Sequence, residues 1–142
     1  MMAEAPPYIR LVLCREDLPE NPRWRELGYP DDNCWDPIEL MSEAAERGKE
    51  SPLFREARRI YWEALHRLWR TYKRGRPFFR MYWCDVRKHE CVEMPQSPAN
   101  QRLVLMEIVS AAMRYGVGVP GVKIYERYLG RPIAGGTCLT YT

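Results

Sequence analysis

The sequence is poor in the residues that most enzyme and metal sites depend on. It holds two histidines, His66 and His89, in 142 residues, which leaves little material for a histidine base with an orienting partner or for a histidine-rich metal site. No apolar run approaches the ~20 residues needed to cross a bilayer. The longest, 103–113, is interrupted by Glu107. Residues 1–7 carry an acid and no base, unlike a secretory signal or an arginine-rich transit peptide, so no cleavable signal is expected. The cysteines, at 14, 34, 84, 91 and 138, are odd in number and scattered. A secreted disulfide scaffold is denser and even-numbered, so the expectation is free thiols in a reducing compartment, cytoplasm or mitochondrion.

What is present is unevenly charged. Residues 1–54 hold twelve acids and six bases, 55–88 eleven bases and three acids, and 89–142 five bases and four acids. The formal net charge is only +3. Only four of the 22 basic residues are lysine (49, 73, 88 and 123); the rest are arginine. Arginine suits planar, bidentate or stacked contacts with carboxylates, phosphates and rings, although a GC-rich genome produces the same bias. The 46% hydrophobic and 29% charged residues are ordinary for a globular chain, and the length suits one domain.

Along the chain, Tyr8 to Cys14 reads as a short strand. Residues 15–35, with prolines 19, 22 and 30, Gly28 and the Asp31-Asp32-Asn33 cluster, read as loop with one helical turn around Trp24 to Leu27. Asp36-Pro37-Ile38-Glu39 opens a helix that ends at Gly48. Ser51-Pro52 opens a second, with Leu53, Ala57, Ile60, Tyr61, Ala64, Leu65, Leu68, Trp69 and Tyr72 at helical spacing and Gly75 as its stop. Residues 76–94 fit two templates: Phe79, Tyr82, Trp83 and Val86 suit a helix, whereas Phe79, Met81 and Trp83 suit a strand. Helix is the expectation here. Ser97-Pro98 opens a helix closed by Gly116, apolar almost all round as a central, buried element would be. A short helix from about 120 to 129 and a tail strand at 137–142, pairing with residues 8–14, complete the reading.

The fold expected is therefore mainly α. Four to five helices surround a central apolar helix at about 97–115, with at most a two-stranded sheet joining the termini. The chain divides into an arm (1–35), a helical core (36–130) and a tail (131–142) within a single domain.

Each motif with chemical content has a plainer reading. Gly116-Val117-Gly118-Val119-Pro120-Gly121 has the glycine spacing of dinucleotide sites. It follows a helix instead of a strand and lacks the later acid, so Gly116 reads as a helix cap. Cys84, His89 and Cys91, with Cys34, are the one close cysteine–histidine group. Their spacing is not that of paired zinc ligands, and no metal or cofactor is expected. Asp31, Asp32 and Asp36 sit in turn sequence and read as turn and cap. A small-molecule ligand and an enzymatic activity are accordingly not expected.

The basic, aromatic middle is the remaining feature. Arg58, Arg59, Trp62, Arg70, Arg74, Arg76 and Arg80 are the expected partner-binding residues, with Trp62 one position off the apolar stripe. Arginine and tryptophan dominate protein–protein hot spots, and arginine with exposed rings also binds single-stranded nucleic acid. The mild total charge and the lack of any nucleic-acid motif favour other protein subunits as partners. The function expected is a non-catalytic accessory subunit of a larger assembly, such as a mitochondrial respiratory, ATP-synthase or ribosomal complex. The alternative is a small RNA- or DNA-binding protein using residues 55–88.

Overall fold

The structure, a computed structural model, describes residues 8–70 and 77–118. They form two compact units, 8–36 with 77–96 and 37–70 with 97–118.

The first unit is a four-stranded antiparallel sheet. Its strands are β1 (Ile9–Cys14), β2 (Cys34–Trp35), β3 (Arg80–Asp85) and β4 (Glu90–Glu93), in the order β2-β1-β3-β4. β1 pairs with β3 along its whole length, from Ile9 opposite Asp85 to Cys14 opposite Arg80. β3 and β4 form a hairpin in which Cys84 faces Cys91 and Asp85 faces Glu90. Asp85 makes the turn: its Oδ1 accepts the backbone N–H groups of Arg87 at 3.0 Å and Lys88 at 3.1 Å, the aspartate turn in which a short side chain substitutes for a backbone acceptor. His89 completes the turn at φ +57°.

Because side chains alternate across a sheet, β1 and β3 bury different sets on their two faces. Val12, Cys14, Cys34 and Cys84 lie on one face, where Leu27 and Tyr29 of the connecting segment 15–33 cover them. That segment carries α1 (Trp24–Leu27), closed by Gly28 at φ +79°. The opposite face buries Leu11, Leu13, Trp35 and Met81, but Trp83 stays 44% and its cross-strand neighbour Val92 68% exposed. Trp35 anchors the segment by donating its indole N–H to the Pro19 carbonyl at 2.8 Å.

The second unit packs three helices against one another: α2 (Pro37–Arg47), α3 (Pro52–Trp69) and α4 (Pro98–Arg114). Ser51 and Ser97 cap α3 and α4, each Oγ accepting the backbone N–H three residues on, from Phe54 and Asn100, at 3.1 Å. A proline follows each cap, at the position where its missing N–H does no harm. α3 buries Leu53, Ala57, Ile60, Tyr61, Ala64, Leu65 and Leu68 of the stripe expected from spacing, together with Phe54; the Trp69 side chain, Tyr72 and the stop at Gly75 lie outside the described residues. Gly116 ends α4 at φ +73°, with Gly116 N–H on the Met113 carbonyl and Val117 N–H on that of Ala112, the paired closure of a Schellman motif.

The mainly-α expectation is overturned by the four-stranded sheet. Residues 76–94 are the pivot, because 80–93 form a hairpin in place of a helix. β1 does have strand partners, but they are β2 and β3. The expected pairing with 137–142 and the helix at 120–129 lie outside the described residues. α4 is also less central than expected, since Leu103 and Met106 are 39% and 40% exposed. Its buried set, Gln101, Val104, Leu105, Ile108, Val109, Ala111, Ala112 and Met113, takes up more than half of its circumference and leaves Leu103 and Met106 outside.

Candidate functional site

The expected partner-binding residues that the structure describes are divided between the two units. Arg58, Arg59 and Trp62 stand on α3, and Arg70 follows it as the C-cap. Arg80 belongs to β3, in the sheet unit. Arg74 and Arg76 lie outside the described residues.

On α3 the exposed side has its own order. Arg58, Trp62, His66 and Arg70 recur every fourth residue, which aligns them along one side of a helix, away from the buried stripe. Arg58 and Arg70 are exposed, and Trp62 and His66 half-buried. The Trp62 and His66 rings meet edge to face, 4.9 Å between centroids and 89° between planes, a favoured aromatic geometry. Over 12 residues at ~1.5 Å each, the row is ~18 Å long.

Arg59 plays a different part. Its guanidinium holds Glu56, with Nη2 to Oε2 at 2.9 Å, and also the Glu63 carboxylate. Both carboxylates are one turn away, so Arg59 braces the surface of its own helix and offers little charge to a partner. Arg80 is likewise engaged, with Nη2 2.9 Å from Asp31 Oδ2 and Nη1 3.2 Å from the Tyr82 hydroxyl. Burial alone lowers the pKa of this guanidinium, but the Asp31 hydrogen bond and the Tyr82 hydroxyl raise it more. The net result is a value above the usual one. Arg80 is thus a tie between β3 and the covering segment.

Two surface features have no counterpart in the sequence reading. Leu103 and Met106 expose apolar surface on α4, three residues apart and so on one side of the helix. A cleft of about 290 Å³ opens between the end of α3 and the start of α4, lined by Arg67, Leu68, Pro98, Ala99, Arg102 and Leu105. It falls at the lower edge of the ~300–1,000 Å³ typical of small-molecule sites. Its lining pairs two guanidiniums with apolar walls and no nucleophile or base. The four-residue recurrence of Arg58, Trp62, His66 and Arg70 was available in the sequence. The cleft was not, because it depends on how two helices meet.

The cysteine–histidine group resolves into covalent bonds. Cys14 is bridged to Cys34 and Cys84 to Cys91, so the expectation of free thiols is corrected for four of the five cysteines. Cys138 lies outside the described residues. Zinc needs thiolates, and the bridges consume them at 34, 84 and 91. Among the described residues no group of three or more histidines, cysteines and carboxylates is placed to hold a metal ion, and no helix is long and apolar enough to cross a membrane. No protein-family model, curated protein or solved structure matches the chain.

Proposed function

We propose that this protein works by contact, as a non-catalytic subunit that binds other proteins through the outer side of α3. The observation that carries this reading is the row Arg58-Trp62-His66-Arg70, half-exposed rings flanked by exposed guanidiniums on a helix whose opposite side is fully committed to its core. A half-buried tryptophan beside arginines is the composition of an interface hot spot. A partner to fit it presents an apolar pocket with carboxylates at both ends, ~18 Å apart along the helix.

Nucleic acid is the second reading, and the α3 charges weigh against it. Arg59 is neutralised by Glu56 and Glu63, and of the helix and its cap only Arg55, Arg58 and Arg70 are exposed arginines. A strand of nucleic acid needs a continuous track of cations along its phosphates. The four paired cysteines also remove the reason for placing the protein in a reducing compartment.

The test is capture from the native source with the tagged chain, in parallel with a Trp62→Ala variant, each split into nuclease-treated and untreated halves. Stoichiometric protein partners should survive nuclease and moderate salt with the wild type and be lost from the variant. Partners that vanish with nuclease, or fall off steeply with salt, assign the row to nucleic acid. Partners retained equally by Trp62→Ala remove α3 from the interface.

A further inference from the structure

We propose that Cys84–Cys91 is a thiol–disulfide exchange site, opened at Cys91 by a dithiol reductant of the Cys-x-x-Cys type, whereas Cys14–Cys34 is a sealed structural bridge. The two bonds make a controlled comparison. Each joins directly opposed residues of neighbouring antiparallel strands, with Cα atoms 4.1 and 4.0 Å apart. Both lie on the same face of one sheet. They differ in access. Cys14, Cys34 and Cys84 are essentially inaccessible at 1%, 0% and 0% exposure, and Cys91 alone is half-buried.

Exchange requires a thiolate to approach the attacked sulfur from the side opposite its partner, and access decides which sulfur is hit. For Cys91 that side is the outer margin of the sheet, because β4 pairs only with β3 among the described residues. For Cys84 the same approach runs into β1, where Arg10 is its direct cross-strand neighbour. Cys34 also sits on an outer strand, but the covering segment closes over it. Asn21 donates its side-chain N–H to the Cys34 carbonyl at 3.1 Å and its backbone N–H to Asp32 at 2.7 Å, and Arg15 N–H reaches Asn33 at 3.2 Å. Among the four bridged cysteines Cys91 alone retains solvent exposure, on an outer strand whose inner side meets the Gly28 carbonyl.

The electrons and protons balance as follows. A reductant thiolate attacks Cys91 Sγ, forms a mixed disulfide and expels Cys84 as a thiolate, which takes a proton from water. The second reductant thiol, after losing its proton, attacks the other reductant sulfur, the one bonded to Cys91 in the mixed disulfide. It leaves as the reductant's internal disulfide and releases Cys91, which is protonated in turn. Two electrons pass from the dithiol to the bridge. The product is accommodated on both sides. Arg10 is the cross-strand neighbour of the leaving cysteine, with its guanidinium on the Tyr29 hydroxyl at 3.3 Å, and the Gly28 carbonyl lies 3.3 Å from Cys91 Sγ, where it accepts the new S–H. β4 is then held by its backbone ladder alone.

The test uses the unreduced, full chain. It is incubated with thioredoxin at increasing times, quenched with iodoacetamide and read by peptide mass spectrometry at each cysteine. In parallel, thioredoxin lacking its resolving cysteine is used to trap the mixed disulfide. Cys84 and Cys91 should become alkylated together, about tenfold or more before Cys14 and Cys34, as expected when one bridge reacts from the native state and the other only after local opening. The trapped cross-link should map to Cys91. Simultaneous opening of both bridges, a cross-link at Cys84, or alkylation of Cys84 and Cys91 without reductant would each overturn the proposal.

Discussion

Gly28 is the position at which a single methyl group should do most damage to the sheet unit. It closes α1 at φ +79°, and a Cβ built there would lie 2.5 Å from the Cα of His89, with the carbonyl carbon and Cβ of the same residue at 2.8 Å. Two penalties combine in Gly28→Ala. A side chain in left-handed backbone costs ~1–2 kcal/mol. The clash adds the cost of moving the hairpin turn by roughly an ångström against a close-packed cluster, ~1–3 kcal/mol. The expected loss is therefore about 2–5 kcal/mol, read by urea unfolding with the disulfides intact. Gly28→Asn separates the penalties, because asparagine tolerates left-handed backbone yet brings the same Cβ. If the clash dominates, Asn should recover only about 1 kcal/mol of the loss. Gly48→Ala is the matched control: φ is +87° but nothing lies within 4 Å of the added carbon, so only the conformational cost of ~1–2 kcal/mol applies. Near-complete recovery by Asn, or a Gly28→Ala loss no larger than that of Gly48→Ala, would refute the close approach of α1's end to the hairpin turn.

The remaining expectations are smaller and separable. Ser51→Ala and Ser97→Ala each remove an N-cap bond and should each cost ~1 kcal/mol in denaturant unfolding. Arg80→Gln breaks an ion pair whose partners are 43% and 51% exposed. It should change stability by less than ~1 kcal/mol; a larger loss would mean that the tie to Asp31 organises the covering segment. Trp62→Ala should leave the melting temperature within a few degrees of wild type, since Trp62 is outside the buried stripe, while abolishing partner capture. Unfolding of that variant would make Trp62 a core residue.

The helices were legible because each carries its own punctuation. Ser51-Pro52 and Ser97-Pro98 mark the starts of α3 and α4, and Gly48 and Gly116 mark the ends of α2 and α4. Both the stripe that α3 buries and the row it exposes follow from residue spacing within one element. β1 was legible for the same local reason, being short, branched and aromatic. The surroundings of the proposed interface residues were legible only in part. Placing Arg59 and Arg80 with Trp62 assumed that exposed charge is available charge. Glu56 and Glu63 are within one turn of Arg59, a pairing the sequence already contains, whereas Asp31 is 49 residues from Arg80 and meets it only through the sheet.

Periodicity alone cannot decide the β3–β4 hairpin. Phe79, Tyr82, Trp83 and Val86 satisfy a helix as well as Met81 and Trp83 satisfy a strand, and what settles the matter is β1, some 70 residues away in sequence. Cys84 and Cys91 nonetheless hold information that the apolar pattern lacks. Seven residues apart on a helix, they would share a side but stand ~10.5 Å apart, beyond the ~7 Å at which two cysteines can bond. Across a hairpin whose last pair is Asp85 and Glu90 they become direct neighbours, 4.0 Å between Cα atoms. Asp85, with Val86-Arg87-Lys88-His89 after it, supplies the mostly polar turn that such a pairing needs. The same spacing that fails as a zinc motif and is inert on a helix is therefore the spacing of a bridged hairpin. Cys14 and Cys34 repeat the logic over a longer connection, bringing β2 beside β1 through a segment that has no regular structure except α1.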